Sequence, residues 1–350
     1  RYPLPQSAGP KTLQAFLEKD QDFSAFLCTS PDYYGQLADI RGLAEVLEAY
    51  EIPFLLDAAH GAHLKACRKA RGTEDYPVFP VTAAVMSLHK TLPALTGAAL
   101  LLTKEKEAVA PLRRAADFWG SSSPSLLIAA SGDYARAYAE YAGARQAAGL
   151  KKALERFSSG LSELYGLNIR QEDYHGDPLR LVINTAAIAT GFEAEAYLTA
   201  RGLVPEMADL CRLVFILPLA FPPEALGFLA EVLNEMAEDF GRRKETRHIA
   251  ADRRLRAAYA RRLFSSSRPG LPAAAGAEEH REQALSEIGP EGAVPAEDIV
   301  PYPPGVPLYT AGMTLRPEDG LFLEELAAAG LVPDGCRREK NTLVIYTKKK

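Results

Sequence analysis

Val85-Met86-Ser87-Leu88-His89-Lys90-Thr91-Leu92-Pro93-Ala94-Leu95-Thr96 is the stretch on which the fold turns. A short apolar run, Ala83 to Met86, ends in Ser, His and Lys and then breaks into a loop at Pro93. A strand that ends this way delivers reactive side chains to the edge of an α/β sheet, where ligands bind beyond the carboxyl ends of the strands. A lysine beside a histidine and three residues past a serine is a candidate Schiff-base lysine: the amine takes an aldehyde, and the serine reaches a phosphate. The other reading of Lys90 is a solvated surface lysine. Upstream, Phe54-Leu55-Leu56-Asp57-Ala58-Ala59-His60-Gly61 repeats the pattern, an apolar strand ending in Asp57 and His60. On the residues alone, Asp57 is a ligand carboxylate or the cap of a turn, and His60 a ligand or a packed core histidine.

Outward from these two strands the chain alternates. Pro10 to Glu18 predicts a helix, Phe23 to Thr29 a buried strand, and Tyr33-Tyr34-Gly35 a turn. Leu37 to Tyr50 is an amphipathic helix with Ile40, Leu43, Val46 and Leu47 on one face. Ile52 to Asp57 has the near-continuous apolar run of a parallel strand covered on both faces, and the β–α–β order implies a right-handed crossover. Gly61 to Arg71 is a basic loop or short helix, and Ala98 to Thr103 a fourth strand. Lys104 to Phe118 reads as a helix. After a Ser-rich turn at 119–125, one long helix is predicted from Leu126 to about Ala147. Strands at Arg180–Asn184 and Leu213–Leu217 then alternate with helices at Gly191–Arg201 and Pro223–Arg243, an α+β pattern. Ser265 to Glu279 reads as a linker. A third unit follows around the turn Pro301–Leu308, and Lys348-Lys349-Lys350 is a solvated tail.

The 350 residues are 47% hydrophobic and 24% charged, the make-up of an ordinary globular chain with room for two or three domains. A net charge of −5 gives no expectation of nucleic acid, and the basic clusters at Arg242–Lys244 and Arg253–Arg262 read as solvated helix faces. Four scattered cysteines form no CxxC pair, which argues against a zinc site and suits a reducing compartment, the cytoplasm. No apolar run is long enough for a membrane span, and no signal peptide is expected.

Five stretches together resemble the bacterial ornithine/lysine/arginine decarboxylases. They are Asp57-Ala58-Ala59-His60-Gly61, Ser87-Leu88-His89-Lys90-Thr91-Leu92-Pro93, Ser30-Pro31-Asp32-Tyr33-Tyr34-Gly35, Pro205-Glu206-Met207-Ala208-Asp209 and Pro301-Tyr302-Pro303-Pro304-Gly305-Val306-Pro307-Leu308. The resemblance implies an α/β chain with a PLP-dependent transferase-like (fold type I) large domain over 1–125. It further implies a connecting helix and α+β small domain over 126–248, and a C-terminal decarboxylase domain over 249–350. It implies pyridoxal 5'-phosphate on Lys90, Asp57 facing the ring nitrogen, and His60 beside the ring and its phenolic oxygen. Ser87 would donate to the phosphate, and His89 would contact the phosphate or the lysine. Ser121 and Ser122 would reach the phosphate of a neighbouring subunit in a homodimer or larger homo-oligomer; the alternative for them is N-capping of the Leu126 helix. A family member carries roughly one more domain's worth of residues ahead of the part matched here, so the large domain is expected to be incomplete, without its Gly/Ser-rich phosphate loop.

The implied reaction is decarboxylation of arginine, lysine or ornithine. Ala58 stands where the family has Glu, Asp32 where Thr is usual, Gly97 where Gln is usual, and Met313 where an acidic residue is expected near a basic substrate. These departures leave two rivals open: an aminotransferase-like enzyme using the same cofactor, and a non-catalytic homologue serving as a structural or regulatory subunit.

Overall fold

The computed structural model describes residues 9–19, 23–70, 80–161, 168–169, 176–243, 249–264, 280–302, 305–340 and 342–348. The predicted linker at 265–279, His175, Pro303, Pro304 and most of the lysine tail lie outside them.

Helix α1 (Pro10–Leu17) leads to strand β1 (Phe26–Thr29), α2 (Ile40–Ala49), β2 (Phe54–Asp57), α3 (Leu64–Ala70), β3 (Ala83–Ser87), the single turn α4 (Leu88–Thr91) and β4 (Ala99–Leu102). The sheet order is β1-β2-β3-β4, with β1, β2 and β3 parallel and β4 antiparallel to β3. Asp39 starts α2 by accepting the Gly42 amide at 3.0 Å. Leu13, Leu17, Leu43 and Leu47 then bury against Phe54, Leu56, Ala84 and Met86 on one face of the sheet. Among the described residues the opposite face is partly open. Leu27, Val85 and Leu101 are exposed there, in register with Leu55 and Asp57. On that face Leu55 and Asp57 are half-buried, so among the described residues the apolar run of β2 is covered fully on one face and in part on the other.

Helix α5 (Lys106–Trp119) has no buried residue; Phe118 and Trp119 are 78% and 84% exposed. The single helix expected from Leu126 to Ala147 is two, α6 (Leu126–Tyr141) and α7 (Gly143–Gly160), broken at Ala142. A side chain at Gly143 would meet the Ala66 methyl at 2.7 Å and Leu219 at 3.2 Å, so the break lets α7 pack tightly on α3. Ser125, not Ser121 or Ser122, caps α6 through the Ile128 amide.

The second sheet, β5 (Asn168–Ile169), β6 (Arg180–Asn184), β7 (Met207–Ala208) and β8 (Arg212–Ile216), is antiparallel in the order β5-β6-β8-β7. Helices α8 (Gly191–Thr199) and α9 (Ala225–Arg243) cover it, and Leu213, Leu233 and Met236 lie in a core shared with α7. Thr190 and Glu193 close a reciprocal capping box at the start of α8. Helix α10 (Ile249–Phe264) leads to the third sheet, β10 (Cys336–Glu339), β11 (Thr342–Lys348) and β9 (His280–Ala284). Helix α11 (Pro317–Ala328) packs on it around Leu323, Leu326 and Ile345. No helix among the described residues is long and apolar enough to cross a membrane.

Candidate active site

Asp57 ends β2 and Ser87 ends β3. The register Asp57↔Val85 puts Asp57, Val85 and Ser87 on the same, partly open face of the sheet. Chain direction reverses at α4, where Leu88 and Thr91 turn into the core and the Thr91 carbonyl accepts the Leu219 amide at 2.8 Å. Two residues past Leu88 is more than half a helical turn, so Lys90 faces outward and is exposed.

The Lys90 amine nevertheless has a specific neighbour: Nζ stands 3.3 Å from Nε2 of His60. His60 is buried, and its Nδ1 has no partner among the described residues. Its pKa falls to about 3, first through burial and then through the positive charges of Arg180 and Lys90. At neutral pH the ring is uncharged, so Nε2 accepts from Lys90 and the proton rests on Nδ1. The Tyr33 ring lies 5.2 Å from the His60 ring, and its hydroxyl is 3.5 Å from that of Tyr302, which arrives from the C-terminal motif. The Tyr302 bond, then burial, pushes Tyr33 up to about 12.

Each remaining candidate has a definite place. The Asp57 carboxylate accepts the Ala59 amide at 3.0 Å. Ser87 precedes α4 without capping it. His89 turns its Nδ1 to the Ala98 carbonyl at 3.1 Å, away from Lys90, and so ties α4 to β4. Ser121 lies exposed between α5 and α6, where its hydroxyl accepts the Ser123 amide. No hydrogen bond among the described residues joins it to the Lys90 cluster. The structure thus brings Lys90 and His60 together at the strand ends carrying Asp57 and Ser87, and leaves His89 and Ser121 apart.

Below His60 is a buried group that the sequence does not announce. His63, three residues on, pairs with Asp177 at 2.7 Å, and Arg180 lies 3.6 Å from the same carboxylate. Arg180 also donates to the Tyr33 carbonyl. Nearby, Asp32 accepts from Gln36, and burial lifts its carboxyl to about 6. Tyr34 donates to Asp209 at 2.7 Å, and Arg212 pairs with the same carboxylate at 3.2 Å. His63 is separated from Asp177 by 114 positions, so no local spacing could reveal the pair.

Residues 8–163 match the family model for the Orn/Lys/Arg decarboxylase major domain. The chain is 27% identical to the uncharacterized protein YaaO of Bacillus subtilis, over 96% of this chain and 68% of that protein. It is 24% identical to an arginine decarboxylase of the same organism, over 91% and 65%. Among solved structures it is similar to the constitutive lysine decarboxylase of E. coli, with a TM-score of 0.73 and 18% identity over 97% of this chain and 61% of that one. The lysine decarboxylase of Francisella novicida gives a TM-score of 0.75 at 18% identity, over 97% and 60%. An alanine–glyoxylate aminotransferase from Nostoc gives 0.50 at 18% identity, over 67% and 66%. The chain spans about two thirds of the curated relatives' length and about 60% of the lysine decarboxylase structures. At these identities the structural likeness carries the fold: α/β, PLP-dependent transferase-like (fold type I), with the large domain in part. Fold, family-model match and the paired strand-end motifs agree in likening this chain, and residues 8–163 above all, to the Orn/Lys/Arg decarboxylase family.

Proposed function

We propose that this chain takes part in pyridoxal-phosphate-dependent decarboxylation of a basic amino acid: arginine, lysine or ornithine. The observation that carries the reading is the Lys90 amine 3.3 Å from a buried, neutral His60 at the strand ends that hold Asp57 and Ser87. The donor set suits the cofactor: a primary amine for the aldehyde, a carboxylate for the ring nitrogen, a hydroxyl for the phosphate and, on His60, a buried ring nitrogen with no partner. The cofactor, when bound, supplies an electron sink for the pair left as CO₂ departs.

The protein's part is to position and to move protons. Asp57 would hold a proton at the cofactor's ring nitrogen by charge. Lys90 would hold the cofactor through its amine and would be a base for a proton at the substrate's Cα. Neutral His60 accepts a hydrogen bond from the Lys90 amine without adding positive charge beside it, and so orients Nζ. The relatives' names, arginine and lysine decarboxylases, support the basic substrate. The partly open apolar face of β1–β4 and the uncovered α5 support a homodimer or larger assembly that covers them. We likewise propose three units, 1–125, 126–248 and 249–350; each described sheet falls within one of them.

The test is borohydride trapping of the protein with pyridoxal phosphate, followed by peptide mass spectrometry and CO₂ release from the three amino acids. The pyridoxyl label is expected on Lys90. Asp57→Asn is expected to slow CO₂ release by at least ~10²-fold, since a charge facing developing charge is worth a few kcal/mol. A label on another lysine, or an Asp57→Asn variant at full rate, would remove the assignment.

A further inference from the structure

Away from Lys90, helices α10 and α11 border an open groove of about 670 Å³. Its two walls follow one design. On α10 the lining residues are Arg254, Leu255, Ala257, Ala258, Arg261 and Arg262, of which Arg254, Ala257, Ala258 and Arg261 form the outer row; on α11 they are Glu318, Leu321, Phe322 and Glu325. That row and the α11 set both run i, i+3, i+4, i+7, a single helical stripe with charge at its ends and apolar groups between. One wall is basic and the other acidic. The groove's width is fixed beneath them by Arg262, which pairs with Asp319 and the Tyr309 hydroxyl and lies 4.1 Å over the Phe322 ring.

The two walls do not neutralise each other. Among the described residues no ion pair joins Arg254 or Arg261 to Glu318 or Glu325, and all four are exposed. Leu321 is 67% exposed and shares the groove's lining with the small Ala257 and Ala258. A surface with a basic row, an acidic row and an apolar midline is self-complementary under one symmetry operation. A two-fold axis along the groove lays the basic row of one copy on the acidic row of the other, and Leu321 over the alanines. A two-fold axis across the groove would lay like charge on like.

We propose that the α10–α11 groove is a two-fold contact between copies of this chain, with Arg254 and Arg261 of one copy facing Glu318 and Glu325 of the other. The contact is separate from the partly open face of β1–β4 and does not depend on the Lys90 reading. So few residues bury an area at the small end for protein interfaces, so the association is weak and sensitive to salt.

Mixing Ala257→Cys chains with Leu321→Cys chains under mild oxidation, then mapping the cross-link by mass spectrometry, reads this face alone. Neither substitution touches the charges or the floor of the groove. A 257–321 disulfide between chains is expected, weakened at about 1 M salt, where surface charges are screened. Reversing one row (Arg254→Glu with Arg261→Glu) should lower the cross-link yield at least about tenfold. Adding Glu318→Arg and Glu325→Arg in the same chains should restore it. Absence of the 257–321 link in the unreversed background would overturn the proposal, as would a yield indifferent to row reversal. Capture of a foreign helix in the groove while copies of the chain stay apart would overturn it too.

Discussion

At the scale of single residues, His60 has the most to lose on acidification. Its folded pKa of about 3 lies below the ordinary histidine value, so between about pH 6.5 and 3 the unfolded chain binds the extra proton. Stability from this residue is complete above that window and is lost as pH falls through it. Asp32, raised to about 6, works in the opposite direction between about pH 4 and 6. The His60 share is therefore read by difference. Thermal unfolding of the wild type and of His60→Gln, from pH 7 to pH 4, should show the variant gaining relative stability as pH falls. Parallel curves would mean that His60 is not buried neutral. The placement of Lys90, Asp57 and His60 at or just past strand ends was legible because those ends sit in local motifs. His63, Asp177 and Arg180 were not, since burial and pairing across distant segments leave no local trace.

Among the elements, α8 shows how tightly one helix is fitted. Its first residue is Gly191, where an added Cβ would stand 2.2 Å from the carbonyl oxygens of both Asp209 and Arg212. Those atoms are backbone and cannot swing away, so Gly191→Ala should cost about 1–3 kcal/mol, the range for overpacking. Urea unfolding measures this, and an unchanged midpoint would show that β8 yields freely. The start of α8 at Gly191 and the bounds of β6, Arg180–Asn184, match the predicted ones, and β3 extends its apolar run by Ser87. The break at Ala142 was not readable, because its cause is the approach of Gly143 to Ala66 and Leu219. Strands β9 and β10, HREQA and CRRE, have no apolar alternation; pairing with β11 on either side makes them strands. The antiparallel direction of β4 likewise follows from its tight connection through α4, not from its composition.

For the molecule as a whole, the partly uncovered side of the β1–β4 sheet and α5 set its behaviour. The chain has a single tryptophan, Trp119, the last residue of α5, at 84% exposure. Fluorescence therefore reports one place. Dilute protein should emit like indole in water, and assembly over α5 should shift the emission to the blue as concentration rises. A spectrum unchanged across the onset of sedimenting oligomers would put the contact elsewhere. The expectation of an assembly comes only from the family resemblance, since apolar residues look alike in sequence whether a core or a partner covers them.

The two buried carboxylates, Asp177 and Asp209, have a mechanical consequence. Each joins a residue beside β1 or β2, His63 or Tyr34, to a cation of the second sheet, Arg180 or Arg212. They act as two rivets across one joint, and tilting the joint would strand charge in a dry interior. Asp209→Ala should cost about 3–5 kcal/mol, the range for breaking a buried pair from one side. Tyr302→Phe removes one long hydroxyl contact on an exposed ring and should leave denaturant midpoints nearly unchanged. Equal losses in the two variants would refute the contrast. Compliance in this molecule is therefore directional: the cleft beside His60 yields along the Tyr33–Tyr302 seam, while the joint between the first two sheets holds its angle.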